Sequence, residues 1–66
     1  MIYGVVVEMK NGGTEFLAVS STAGFDDAAN AAYEIFDTIE VESVEVMNFE
    51  VMLGLQYDGI AILSTR

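Results

Sequence analysis

One stretch narrows the fold more than any other. In STAGFDDAANAAYEIFDTIE, residues 21–40, Phe25, Ala28, Ala29, Ala32, Ile35, Phe36 and Ile39 recur at the spacing of a one-sided amphipathic helix. Three alanines on that stripe allow the helix backbone to approach whatever it covers. Thr22 is the expected N-cap, and Asp26 and Asp27 suit the positive end of the helix dipole. Everything on either side of this stretch reads as strand, so the helix must lie on a sheet.

Before it, IYGVVVEMK and TEFLAVSS are β-rich and flank Asn11-Gly12-Gly13, a hairpin signal. A two-residue loop would set Glu8 directly opposite Glu15, and like charges opposed on one face are unfavourable. A three-residue loop avoids that and is the expected one. After the helix, Asp58-Gly59 reads as a second hairpin turn, pairing Tyr57 with Ile60, Leu55 with Ile62 and Leu53 with Ser64. One face then carries Phe49, Val51, Leu53, Leu55, Tyr57, Ile60 and Ile62. The alternation slips at Met47-Asn48, because Val44 and Val46 are even-numbered and Phe49 onward is odd. A bulge near Asn48 is the expected device for bringing both runs to one core. The order is ββαββ. The expected fold is α+β, one domain over residues 1–66, a four-stranded antiparallel sheet with one helix on one face.

At 66 residues, with no cysteine and no histidine, the chain has neither disulfide nor zinc to supplement a small core. Added burial through self-association or a partner is therefore expected. No signal peptide and no apolar run of transmembrane length is evident, so the expected location is the cytoplasm.

The residue inventory argues against an enzyme. Serine nucleophiles lack a histidine base, and Lys10, the only lysine, sits beside a turn. No phosphate-cradling glycine pattern occurs. The oxygen ligands in FDDAAN (25–30) and EVES (40–43) do not match a calcium loop, so neither metal nor cofactor is expected.

Charge carries the functional signal. Eleven acidic residues face only Lys10 and Arg66, a net charge of −9. Nucleic acid and anionic membrane would repel such a chain, and a protein with a basic surface would attract it. Asp26, Asp27, Glu34 and Asp37 fall on the outward side of the expected helix. Asp37 and Glu40 fall at its negative end, where a carboxylate costs a few tenths to about 1 kcal/mol. Glu42 and Glu45 follow at once. Placing charges against the domain's own stability suggests use, the alternative being a screened, solubilising surface.

Size, acidity and the hairpin–helix–β layout resemble the small acidic proteins by which bacteriophages block host machinery: anti-restriction proteins, anti-CRISPR proteins and RNA polymerase inhibitors. The matching segment is EFLAVSSTAGFDDAANAAYEIF, with Ser20 to Thr22 at a turn, Asp27-Ala28 in the first helical turn, and Ala32 and Phe36 on the inner face. It covers about a third of the chain, and its motif is shared by many unrelated α/β proteins. The resemblance implies a stoichiometric inhibitor, acting in a bacterial cytoplasm, that occludes a basic and often nucleic-acid-binding surface.

Two functional expectations follow. In the first, Asp26, Asp27, Glu34, Asp37, Glu40, Glu42 and Glu45 contact an Arg/Lys-lined groove of a nucleic-acid enzyme as a partial nucleic-acid mimic. Met47, Met52 and Tyr57 are then apolar anchors. In the second, the chain is a homodimeric structural or adapter module, with Val6, Met47, Met52 and Leu63 at the interface and acidity serving only solubility.

Overall fold

The computed structural model describes residues 1–55 and the backbone of residues 61–64. Its elements are strand β1 (Ile2–Met9), strand β2 (Thr14–Ser20), helix α1 (Phe25–Ile35), strand β3 (Val41–Asn48), helix α2 (Phe49–Gly54) and strand β4 (Ala61–Ser64). The fold is α+β, built on an antiparallel sheet in which β1 lies between β2 and β3.

The first hairpin has a loop of the expected three residues, but it is Lys10-Asn11-Gly12, with Gly13 paired to Met9, and not a loop that uses both glycines. The Gly12 N–H donates to the Met9 carbonyl at 3.0 Å, and the Met9 N–H donates to the Gly13 carbonyl at 2.8 Å. Gly12 sits at φ +92°, a left-handed conformation that glycine adopts without a Cβ penalty. Asn11 Oδ1 accepts the Gly13 N–H at 2.8 Å and closes the turn. The register sets Glu8 opposite Thr14, whose hydroxyl donates to the Glu8 carboxylate at 3.0 Å, and Glu15 opposite Val7. The Glu8–Glu15 opposition is thereby avoided.

Helix α1 packs on one face of the sheet. Ala28, Ala31 and Ala32 are buried against Tyr3, Val5, Val7, Leu17, Val19 and Val41, and Phe36, Val44 and Val46 close the margin. Ala31 takes the inner place expected for Ala29, which is half-buried, and Phe25 is exposed, its ring meeting that of Tyr3 at a tilt with centroids 4.9 Å apart. The helix is shorter than the periodicity suggests, ending at Ile35 with Phe36 as its C-cap, and Ile35 and Ile39 are exposed. Its N-cap is Gly24, at φ +99°, with no side-chain cap. The expected cap Thr22 is exposed, and the connection is held instead by Ser21, which is fully buried. The Ser21 hydroxyl donates to Asp27 Oδ2 at 2.6 Å and accepts the Ala23 N–H at 3.0 Å.

The second half departs from the expected ββαββ order. The bulge lies at the start of β3, not near Asn48: Glu8 pairs with Ser43 and Met9 with Val41, which leaves Glu42 as the extra residue. That insertion lets odd-numbered Val41 face the same core as even-numbered Val44 and Val46. At Asn48 the strand ends and a second helix starts. Asn48 keeps extended backbone, φ −62° and ψ 137°, and its side chain accepts the Glu50 N–H at 2.9 Å. An asparagine acceptor at N-cap followed by an acid in the first turn is a helix start. The slip of period is thus a change of element.

Helix α2 covers the opposite face of the sheet. Met52 is fully buried, and a Cβ added to Gly4 would lie 2.6 Å from Met52 Cβ, so strand and helix meet where β1 has no side chain. Val6 and Ala18 point to this same face and are buried as well. Both faces of β1 are therefore covered, which the single-helix expectation did not provide. The backbone of β4 runs beside β2 in parallel, Leu17 to Ala61 through Ser20 to Ser64. A β3–β4 hairpin, with Leu53 opposite Ser64, does not form, since Leu53 is helical. The expected Asp58-Gly59 turn lies outside the described residues. Since β2 and β3 both oppose β1, they are parallel to each other, and β2–α1–β3 is a crossover passing over β1.

Candidate functional site

The acidic residues fall into two groups with different physical roles. Asp26, Glu34, Glu42 and Glu45 are exposed. On α1, Asp26, Asn30 and Glu34 step along one exposed strip, and the eight-residue separation of Asp26 and Glu34 amounts to about 12 Å at the helical rise. Glu42 stands at the bulge. Glu45 lies on the α2 face of the sheet, opposite Val6.

The other acids named from the sequence also serve the fold. Asp27 is half-buried and accepts the Ser21 hydroxyl, tying the first turn of α1 to the end of β2. It does not join an outward row. Asp37 and Glu40 are exposed but lie beyond the helix, in a turn. Asp37 Oδ1 accepts the Ile39 N–H at 3.1 Å, its carbonyl accepts the Glu40 N–H at 2.9 Å, and the Glu40 carbonyl accepts the Lys10 N–H at 2.8 Å. Asp37 is thus a turn-forming aspartate, a role that needs no functional cause. Because α1 stops at Ile35, Glu34 is the carboxylate in its last turn, and Asp37 and Glu40 lie beyond it. Of the four acids expected on the outward side of the helix, Asp27 is turned inward and Asp37 lies off the helix.

Glu40, Glu42 and Glu45 fall together along one boundary of the molecule. Strand β3 is the outermost strand beside β1, and these three residues lie just before it and along it. Its face toward α1 carries Val44 and Val46, half-buried; its opposite face carries Ser43, Glu45 and Met47. Glu8, Glu15 and Glu50 add exposed negative charge that the sequence reading left out of the site. Their signal is the same excess of acid over base.

The apolar residues named for an interface are differently placed. Val6 and Met52 are buried within the chain and are not available to a second molecule. Met47 is half-buried. The side chains of Tyr57 and Leu63 lie outside the described residues. Among the described residues, Val51, Leu53 and Leu55, in and just after α2, are exposed apolar side chains. They become recognisable only once residues 49–54 are read as a helix with Met52 turned inward.

Chemical machinery is sparse. The Ser21–Asp27 pair has a short hydroxyl–carboxylate contact, but Ser21 is sealed from solvent and anchors the chain. Among the described residues, no three acidic side chains are grouped to hold a metal ion, and no helix is long and apolar enough to cross a membrane. What the arrangement offers is an exposed anionic surface that includes Glu42 and Glu45 on β3 and Asp26 and Glu34 on the outer side of α1. No family model, no curated protein and no solved structure matches the chain.

Proposed function

We propose that this chain is a protein-binding inhibitor whose acidic surface occludes a basic, nucleic-acid-binding site on another protein. One observation carries the reading: Asp26, Glu34, Asp37, Glu40, Glu42 and Glu45 are all exposed in a chain of net charge −9 with only two basic residues. Such a field attracts cationic grooves at long range and gives fast, salt-sensitive association. The mimicry is of charge density. A ladder of phosphate spacings is not supported, since Asp27 and Asp37 have tasks within the fold. The resemblance to phage-encoded inhibitors extends the proposal to a bacterial host protein and to action in the host cytoplasm.

The test is affinity capture from a bacterial lysate at about 0.15 M salt, where the Debye length is roughly 8 Å and only close charge contacts persist. Bound proteins are eluted with a salt step and identified. The wild-type chain is expected to retain nucleic-acid-binding proteins that the triple variant Glu34→Gln, Glu42→Gln, Glu45→Gln releases. Among the described residues, none of these three carboxylates makes a hydrogen bond that holds the fold. Identical eluates from the two would overturn the reading.

A second reading, a self-associating module, is favoured by Val51, Leu53 and Leu55, which α2 leaves exposed. Light scattering at high micromolar concentration tests it. A strict monomer removes it, and a dimer dispersed by Leu53→Glu supports it.

A further inference from the structure

We infer that the outer edge of β3 is a docking edge for an extended basic segment of a partner protein, which joins the sheet beside β3 as an added strand. This rests on the reading of the chain as an acidic protein-binding module and names the form in which the partner binds.

Strand β3 runs eight residues, Val41–Asn48, and among the described residues pairs with β1 on one side only. In an antiparallel ladder every second residue directs its N–H and C=O away from the paired neighbour. An edge of this length is a template for another strand. Its side chains select which one. Toward the α1 face an added strand meets Val44 and Val46, half-buried at the margin of the core, and toward the other face it meets Glu45 beside Met47. At the near end it meets Glu42 and Glu40, both exposed. Opposite charges across a ladder stabilise and like charges oppose. A second copy of this chain, itself at −9, would bring its own Glu42 and Glu45 to the same edge. A segment with lysine or arginine at alternate positions and β-branched residues between them meets complementary charge on one face and apolar margin on the other. The carboxylates that guard the edge against self-pairing thus admit a cationic strand.

The experiment uses the full chain and two ten-residue peptides of alternating lysine and valine, one of them N-methylated at every second amide. N-methylation keeps the charge and removes the donors a ladder needs, and it leaves the protein untouched. Binding is followed by fluorescence anisotropy and by backbone amide shifts. The unmodified peptide is expected to bind at least tenfold more tightly than its methylated partner, with the shifts concentrated on residues 41–48. Glu45→Gln is expected to weaken it several-fold. Equal affinity for the two peptides, with shifts spread over α1, would overturn the docking edge and leave the acidic-surface reading standing. No binding of either peptide at low salt would overturn both. Concentration-dependent shifts at residues 41–48 without peptide would make the occupant a second copy and overturn the inference.

Discussion

The two faces of the sheet are packed by opposite rules. On the α1 face the small residues belong to the helix, Ala28, Ala31 and Ala32, and the large ones to the strands, Tyr3, Val5, Val7, Leu17 and Val19. On the α2 face the helix contributes one large buried residue, Met52, which sits over the small strand residue Gly4, while Ala18 and the larger Val6 are buried on the same strand face. Either arrangement brings a helix close to a sheet. The first spreads contact over an eleven-residue helix, whereas the second rests a six-residue helix on one side chain over one glycine. Tolerance to substitution should therefore differ between the faces, and the α2 face should fail at single positions.

The largest effect is expected from Met52→Ala. Removing a fully buried methionine costs about 3 kcal/mol, a large fraction of the stability of a domain this small. Chemical denaturation measures it, and amide exchange should show α2 opening while α1 stays protected. Gly4→Ala should cost about 2 kcal/mol by overpacking. The nearest atom to the new methyl is Met52 Cβ, at 2.6 Å, which the helix backbone fixes in place. Met52→Ala keeps that atom and should therefore not rescue Gly4→Ala. Rescue in the double variant would show that the contact is with the flexible end of the side chain.

On the α1 side, Ser21→Ala should cost about 1.5 kcal/mol, the scale of a hydrogen bond to a charged group. The sharper readout is local: faster amide exchange at residues 23–28, with β1 unaffected. The smallest effect belongs to the start of α2. Asn48→Ala removes the side-chain cap on the Glu50 N–H and should cost about 1 kcal/mol. Asn48→Asp should restore most of it. A larger loss from Asn48→Ala than from Met52→Ala would invert the comparison and make the cap, not the buried methionine, the anchor of α2.

The two faces also differ in how legible they were. The α1 face could be read because its signals are local: the helical recurrence of apolar residues, and Asn-Gly-Gly with a like-charge clash that excludes the shorter loop. The α2 face was hidden by a coincidence of periods. Phe49, Val51, Leu53 and Leu55 alternate as a strand would, and the alternation outweighed Asn48 and Glu50, which mark a helix start. The runs Val5-Val6-Val7 and Leu17-Ala18-Val19 carried the missing information. Apolar residues without alternation require both faces of a strand to be covered, and one helix covers only one. The bulge at Glu42 depends on where α1 stops, and that end is set by packing.

The site divides in the same way. Exposure of Asp26 and Glu34 follows from the helix wheel, and that of Glu45 from its alternation with Val44 and Val46. The hydrogen bond of Asp27 to Ser21 depends on where β2 delivers the chain, and the turn role of Asp37 depends on the early end of α1. Neither is written in the local pattern: Asp27, expected to point outward, is tied inward, and Asp37, which appeared to weaken the fold for a function, supports a turn. The proposed functional surface is therefore smaller and lies nearer β3.

The most direct test of the proposed function is competition on a captured partner. The partner is saturated with labelled nucleic acid at about 0.15 M salt and titrated with this chain, and release of the label is followed. Occlusion predicts release that is complete near one equivalent per site, weakens as salt rises, and is lost in the Glu34→Gln, Glu42→Gln, Glu45→Gln variant. A stable ternary complex, with the chain bound and the nucleic acid still in place, would contradict it.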